Sequence, residues 1–208
     1  GRSALLLNTT GDGNTAMGYL AMDAETDGGY NTGLGYQALT ANDGGSYNVA
    51  VGSSALLANT TGQQQVAVGR NALDANTTGD YNVAVGHAAL GANTTADNNV
   101  AIGANCLAAN STGANNTAIG NESLDANTTA SNNTAVGYQA LTANTTAAYN
   151  TAVGYGALAT TTTGPEHVAI GGFALNLMAT GEACVAVGQE ALRNNLGSSN
   201  TAVGYQSM

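Results

Sequence analysis

The residues that could perform acid–base, nucleophilic or metal chemistry are few and scattered along this chain. Its 208 residues include 13 Asp and Glu, three Arg, two His, two Cys and no Lys. Catalysis needs a nucleophile, a base and an orienting group at one place. His87 and His167 instead occupy different positions of the repeat described below, and so do Cys106 and Cys184. The sequence therefore predicts a protein that is not an enzyme, with no catalytic residue and no cofactor.

Metal and disulfide chemistry are equally poorly supported by the spacing. A calcium-loaded roll needs an Asp in nearly every coil, and the aspartates that lie near turns lack that regularity: Asp12, Asp27, Asp43, Asp80 and Asp97. The two cysteines lie about five coils apart, roughly 24 Å at the usual strand spacing. A disulfide needs Cα atoms within about 7 Å. We therefore expect neither a metal site nor a disulfide within the chain.

The charge balance excludes two further classes of partner. The formal net charge is −10 and the isoelectric point about 4.1. Nucleic-acid binding needs basic side chains near phosphates, and three arginines cannot form such a patch. No run of about 18 apolar residues is present to span a bilayer. The sequence predicts neither a nucleic-acid partner nor membrane insertion.

A 17-residue repeat is the element that positions every side chain in the molecule. We number it from Asn133 (position 1) to Tyr149 (position 17), a nearly ideal copy. Its position 5 glycine recurs every 17 residues, and a last step of 16 residues reaches the final one: Gly18, Gly35, Gly52, Gly69, Gly86, Gly103, Gly120, Gly137, Gly154, Gly171, Gly188 and Gly204. We therefore expect a single repeat domain over residues 1–208, with a partial coil at 1–13 and twelve coils, of which the last is incomplete.

The repeat favours strands and turns over helices. Thr-Ala-Val or Val-Ala-Val followed by Gly is typical of a strand that ends in a turn, and the glycines interrupt any helical periodicity. A 17-residue period is also too short for helical-pair repeats. The predicted fold class is all-β, a parallel β-solenoid or β-roll of 17-residue coils.

Two apolar columns define the predicted core. Position 3 is alanine except at Gly33, position 4 is always aliphatic, and neighbouring strand residues point to opposite faces. Because both faces look buried, we expect the aliphatic column inside and the alanine column against another chain; the alternative is that alanine lies inside a very tight coil. The predicted core ladder comprises position 4 residues Val51, Val68, Val85, Ile102, Ile119 and Val136, and position 9 residues Leu56, Leu73, Leu90, Leu107, Leu124 and Leu141.

Polar columns supply structural ladders and candidate binding surfaces. Asparagine dominates positions 1 and 12, where stacked amides can hydrogen-bond to each other and to turns. Tyrosines at position 6 are candidate surface-binding residues for sugars, although packing between chains is an alternative: Tyr19, Tyr36, Tyr138, Tyr155 and Tyr205. The repeated Asn-Thr-Thr segment contains N-glycosylation acceptors and a threonine rank. That rank gives an alternative function, an ice- or polysaccharide-binding solenoid.

The unit Asn-Thr-Ala-Val-Gly-Tyr-Gln-Ala-Leu at 133–141 resembles the repeats of trimeric fibre proteins, namely YadA-like adhesin heads and phage tail-fibre β-rolls. The likeness covers essentially the whole chain, although the 17-residue period and the Ala-Leu-x-Ala-Asn-Thr-Thr run depart from the adhesin pattern. The resemblance implies a left-handed β-roll assembled as a homotrimer, extracellular on a cell surface or virion tail fibre. It implies attachment to a host or target surface glycan or receptor. We also expect further fibre or capping segments to cover both ends.

Overall fold

The computed structural model describes residues 1–208 and contains twelve three-residue strands and no helix. No helix is therefore available to span a bilayer. The strands are β1 (Thr15–Met17), β2 (Thr32–Leu34), β3 (Val49–Val51), β4 (Val66–Val68), β5 (Val83–Val85), β6 (Val100–Ile102), β7 (Thr117–Ile119), β8 (Thr134–Val136), β9 (Thr151–Val153), β10 (Val168–Ile170), β11 (Val185–Val187) and β12 (Thr201–Val203).

Two compact units divide the chain, Gly1–Ala104 and Asn105–Met208. In the first unit β1 to β6 lie side by side in sequence order, and in the second β7 to β12 do the same. All pairs are parallel and in register, so that Ala50 lies beside Ala67 and Ala135 beside Ala152. Each unit is a parallel β-solenoid with 17-residue turns, which confirms the predicted fold class. Left-handed winding, trimeric assembly and a single domain over 1–208 stay predictions.

Four positions in each coil have a left-handed backbone, and they close its turns. In the coil that starts at Asn133 they are Gly137, Gln139, Leu141 and Tyr149, with φ of 137°, 52°, 54° and 63°. A Cβ at Gly137 would lie 2.5 Å from the carbonyl oxygen of Gly154, so only glycine fits there. Position 9 contains Leu or Met and never Val or Ile, because a β-branched side chain is strongly disfavoured at positive φ.

The interior of the coil is filled by positions 3, 8 and 9. The position 9 leucines predicted as core are fully buried, which confirms that half of the ladder: Leu56, Leu73, Leu90, Leu107, Leu124 and Leu141. The alanines of position 3 are also fully buried in β3 to β11. The alanine column therefore lies inside a tight coil, which was the alternative interpretation.

The position 4 half of the predicted ladder does not lie in the interior. Its valines are half-buried and its isoleucines exposed, with Ile102 at 39% and Ile119 at 38%; the set is Val51, Val68, Val85, Ile102, Ile119 and Val136. The reason is lack of room, because a Cβ on Gly33 would already lie 3.2 Å from Met22 Cγ. Since only a methyl group fits opposite position 9, the larger aliphatic side chain takes the outer face.

Two buried asparagines in each typical coil bind the same backbone carbonyl. Asn133 and Asn144 both donate from Nδ2 to the oxygen of Ala147, each at 3.0 Å. Asn133 Oδ1 also accepts the backbone N–H of Asn150 in the next coil at 2.9 Å. Asn144 Nδ2 donates in addition to Asn127 Oδ1 at 3.0 Å. These bonds link successive coils, as the sequence predicted for both columns, and they satisfy the buried amides except Asn144 Oδ1, which has no hydrogen-bond partner.

Candidate interaction surface

The outer face of each sheet is a strip of aliphatic and threonine side chains without charge. Positions 2 and 4 point outward along the strands and contain only Thr, Val, Ile, Leu and Met. In β7, for example, Thr117 is half-buried and Ile119 exposed, whereas Ala118 between them is fully buried. Exposed tyrosines occur on both flanks, at position 17 before the strand and at position 6 after it. Such a strip can bind an apolar surface.

The tyrosines form stacked pairs across neighbouring coils. At position 6, Tyr19 stacks on Tyr36 with ring centroids 5.6 Å apart, and at position 17 Tyr30 stacks on Tyr47 at 5.3 Å. All five candidate residues of position 6 are exposed: Tyr19, Tyr36, Tyr138, Tyr155 and Tyr205. The structure brings together Tyr19 with Tyr36 and Tyr138 with Tyr155, whereas Tyr205 has no ring partner among them. Exposed flat rings of this kind can bind apolar ring faces of a ligand.

The second unit extends its tyrosine pair into a larger aromatic cluster. Tyr138 stacks on Tyr155 at 5.4 Å, and Phe173 meets Tyr155 edge-on at 4.9 Å. The guanidinium of Arg193 lies 5.1 Å from the centroid of Phe173 and contacts Glu190 at 3.3 Å. Sequence reasoning missed Phe173 because it lies at position 7, outside the tyrosine columns. The signal that could have drawn attention to Phe173 is that it is the chain's one phenylalanine.

The threonine rank is not a row of free hydroxyls. At position 13 the hydroxyls of Thr60, Thr77, Thr128 and Thr145 donate to the backbone carbonyl of the same position in the next coil, at 2.9 to 3.2 Å. Position 14 presents the exposed threonines. Because one of the two ranks is engaged in binding the backbone, the surface offers single rather than paired hydroxyl rows.

The N-glycosylation acceptors of the Asn-Thr-Thr segments have side chains that the fold encloses, apart from Asn8, which is half-buried. Asn59, Asn76, Asn93, Asn127 and Asn144 are all fully buried at position 12. Their amide nitrogens, which a glycan would modify, donate hydrogen bonds inside the coil, as in Asn76 to Asn59 Oδ1 at 2.9 Å. The folded chain therefore cannot accept a glycan at these positions.

His167 occupies position 1 and reproduces the hydrogen bonds of the asparagine it replaces. Its Nε2 lies 2.7 Å from the Gly181 carbonyl, and its Nδ1 accepts the N–H of Cys184 at 3.2 Å. These two partners require a neutral ring with its proton on Nε2. Burial lowers the pKa of His167, against the opposing effects of the Gly181 carbonyl and the negative charge of Glu182. The ring is a structural part of its column.

A buried carboxylate takes the place of asparagine at position 12 of one coil. Glu25 accepts hydrogen bonds from the backbone N–H groups of Gly28 at 2.6 Å and Gly44 at 3.4 Å. It also accepts from the amides of Asn31 and Asn42. Four donors hold this carboxylate without a cation, which indicates a structural role.

Asp74 and the two cysteines are further ionisable groups that the fold removes from water in part or in full. Burial raises the pKa of Asp74, against the lowering effect of hydrogen bonds from its own N–H and that of Ala75. Both cysteines are buried and neither forms a disulfide, and Cys106 Sγ lies 3.1 Å from the Ala118 carbonyl. No three His, Cys, Asp or Glu side chains are grouped so that they could hold a metal ion. The distinctive surfaces of the molecule are therefore the aliphatic strip and the tyrosines.

In comparisons with known proteins, no family model, curated protein or solved structure matches the chain.

Proposed function

We propose that this chain is a segment of an extracellular attachment fibre that assembles as a homotrimer of left-handed coils. The observation that carries the proposal is the aliphatic strip at positions 2 and 4, where Val51, Val68, Ile102 and Ile119 face outward instead of filling the coil. The resemblance of the repeat to trimeric adhesin heads and tail-fibre rolls supports the same assembly. The fibre would connect a cell surface or virion to a glycan or receptor on its target.

The size of the strip suits an interaction surface. In each unit, six strands about 4.8 Å apart and about 10 Å of strand length give roughly 300 Å² of apolar surface. The largest apolar patch on a typical monomer is about 300–600 Å² and often has a function. Burial of this surface by other copies would stabilise the assembly by the hydrophobic effect.

The distribution of charge favours copies of the same chain as that partner. The strip carries no charged side chain, although the whole chain has a formal net charge of −10. Three strips can therefore meet without placing like charges together. The acidic groups would lie on other faces, where they discourage side-by-side bundling of fibres.

The internal architecture suits a fibre that transmits force. Within each unit, every coil is joined to the next by strand pairing. Buried side chains such as Asn76 and Asn93 add to this, since both donate to the preceding asparagine of their column at 2.9 Å. Stability in such repeat proteins accumulates from the interfaces between neighbouring units. The exposed tyrosines leave the outside of the fibre able to contact a target.

Light scattering on the folded protein tests the assembly. The chain mass is 20.4 kDa, and the proposal predicts a mass of about 61 kDa, three times that value. The mass should hold over a range of concentrations, because the interface is apolar. A stable monomer would contradict the trimeric fibre.

A second candidate function is a solenoid that binds polysaccharide on a repeated face. The stacked, exposed rings of Tyr19 and Tyr36 favour it, since aromatic rings pack well on the apolar faces of sugars. This function does not require a trimer. A monomer that binds glycans on an array would favour it over the fibre. Ice binding has less support, because the position 13 hydroxyls are engaged with the backbone; measurable thermal hysteresis would reverse that judgement.

A further inference from the structure

We infer that the exposed face of Tyr138, together with Asn121, Glu122 and Gln139 beside it, binds the ring of a neutral hexopyranose in a target glycan. This inference deepens the proposed function, on which it rests for the presence of a glycan partner. Its evidence is local to the second unit, as the contacts below show.

The ring of Tyr138 stacks on another aromatic ring on one side only. Tyr155 stacks on it from the following coil with an interplanar angle of 16°. In the preceding coil, the residue in the same column is Asn121, which is not aromatic. Tyr138 is 42% exposed. A sugar ring placed above Asn121 would continue the stack at the position where the next tyrosine ring is lacking.

The stacked rings of Tyr138 and Tyr155 are braced, that is, held in place by further packing, on the Tyr155 side. Phe173 meets Tyr155 in an edge-to-face arrangement, and it lies close to Gly156, where a Cβ would come within 3.1 Å of the phenyl ring and crowd it. Arg193 then covers Phe173 and is held by Glu190. The repeat itself requires none of these residues, because other coils have different side chains at the same positions. A braced ring loses little freedom when a ligand binds, which favours affinity.

Polar groups lie where the hydroxyls of a stacked sugar would extend. Glu122 Oε2 accepts a hydrogen bond from Gln139 Nε2 at 2.8 Å. Further along the same two coils, Asp125 Oδ1 accepts from the hydroxyl of Thr142 at 2.6 Å. Carboxylate and amide groups of this kind can accept and donate hydrogen bonds with ring hydroxyls. Sugar sites combine such groups with an apolar ring surface.

The charge of this region selects against acidic sugars. The second unit contains five carboxylates and one arginine, and the arginine is already paired with Glu190. One of the carboxylates, Glu122, directly follows Asn121 in the coil before Tyr138, and Asp125 lies three residues further along that coil. A sialic acid, uronic acid or sulfated sugar would meet like charge there. The preferred ligand is therefore uncharged.

Binding to a printed glycan array tests the inference on the intact 208-residue protein. The array should contain neutral hexose and N-acetylhexosamine oligosaccharides beside sialylated, uronic-acid and sulfated ones. We expect binding to neutral members, weakened about tenfold or more by Tyr138→Ala. Tyr149→Ala is the matched control, since it removes a tyrosine of the same coil, 63% exposed, from the other flank of the strand. It should leave binding within twofold.

Two further variants sharpen the result. Phe173→Ala removes the brace and should weaken binding severalfold without touching the sugar. Glu122→Gln keeps a hydrogen-bonding group but removes a charge, and should raise the relative binding of acidic glycans. Binding of no neutral glycan, a preference of the wild type for acidic glycans, or unchanged binding by Tyr138→Ala would each overturn the inference. Light scattering on the same samples tells a failure of this inference from a failure of the proposed trimer. A protein of about 61 kDa that binds no sugar would overturn the sugar site and leave the proposed assembly standing.

Discussion

The two faces of a single strand behave differently in this protein. In β7, Ala118 points into the coil and is fully buried, whereas its neighbour Ile119 points outward and is 38% exposed. The inner position is alanine in all coils but one, and the outer position varies among Val, Ile, Leu and Met. The larger apolar side chain is thus on the outside. Room inside the coil, and not hydrophobicity alone, decides which residue each face accepts.

The same contrast extends to polar side chains. Asparagines inside the coil are fully buried and bind carbonyls and each other, as Asn127 does with Asn110 at 2.8 Å. Polar residues outside, such as the exposed threonines of position 14, form no ladder of this kind. Substitutions inside the coil should therefore lower the free energy of unfolding more than substitutions outside it, even where the residue types are alike.

The largest effect is expected from the buried leucine column. Leu141→Ala should lower the free energy of unfolding by about 2–5 kcal/mol, because it leaves a cavity that tight coils cannot close. Urea denaturation followed by circular dichroism measures this loss. Val136→Ala in the same coil is the control on the outer face and should cost less than half as much when both proteins are compared as monomers. Equal losses would abolish the distinction between the two faces.

The asparagine ladder should give the next largest effect. Asn127→Ala removes the partner of Asn144 Nδ2 and leaves Asn110 without the donor at 2.8 Å. Unsatisfied buried groups cost about 1–3 kcal/mol each. The midpoint temperature of thermal unfolding should be clearly lower for this variant than for Thr129→Ala, an exposed change in the same coil that should stay within about 0.5 kcal/mol of wild type. An Asn127→Ala protein as stable as the control would mean that the ladder contributes nothing.

A pH-dependent effect should come from the one histidine inside the coil. Burial lowers the folded-state pKa of His167, so the unfolded chain binds more protons below its ordinary pKa of about 6.5. The stability linked to His167 is fully present above that pH and is lost as pH falls below it. His167→Asn restores the common residue of position 1 and should flatten this part of the pH profile. Parallel profiles for the two proteins between pH 4 and 7 would contradict this assignment.

The smallest effect on folding is expected on the outer face, where assembly should change instead. Val136→Asp places a charge on a half-buried outward position. A single chain can keep that carboxylate in water, so circular dichroism should stay native. A trimer would have to bury it, at a cost of several kcal/mol, so light scattering should report a monomer near 20.4 kDa. An unfolded variant would place Val136 in the interior after all.

Periodicity made the coil predictable, but not which face of the strand is the inside. The 17-residue spacing and the turn glycines are visible in one sequence and give the strands, their register and the Leu141 column. Alternation shows that Ala135 and Val136 point oppositely, yet both are apolar. The width of the coil determines which of the two points inward. That width depends on left-handed turns at positions such as position 7 (Gln139 in this coil), where the residue type varies among coils. The brace of Phe173 on Gly156 was hidden for a similar reason, since it joins two coils through substitutions that break the repeat.

The in-register stacking of identical coils also has a genetic consequence. Because typical coils offer their neighbours the same carbonyls, amides and side-chain columns, duplication or loss of one such 17-residue unit leaves the coils beside it with an equivalent partner. Recombination between the repeated stretches of the gene can therefore lengthen or shorten the protein without redesign of its interior. A change of another length survives only where a turn absorbs it, as in the 16-residue step before Gly204. Inherited length variation is thus built into the fold.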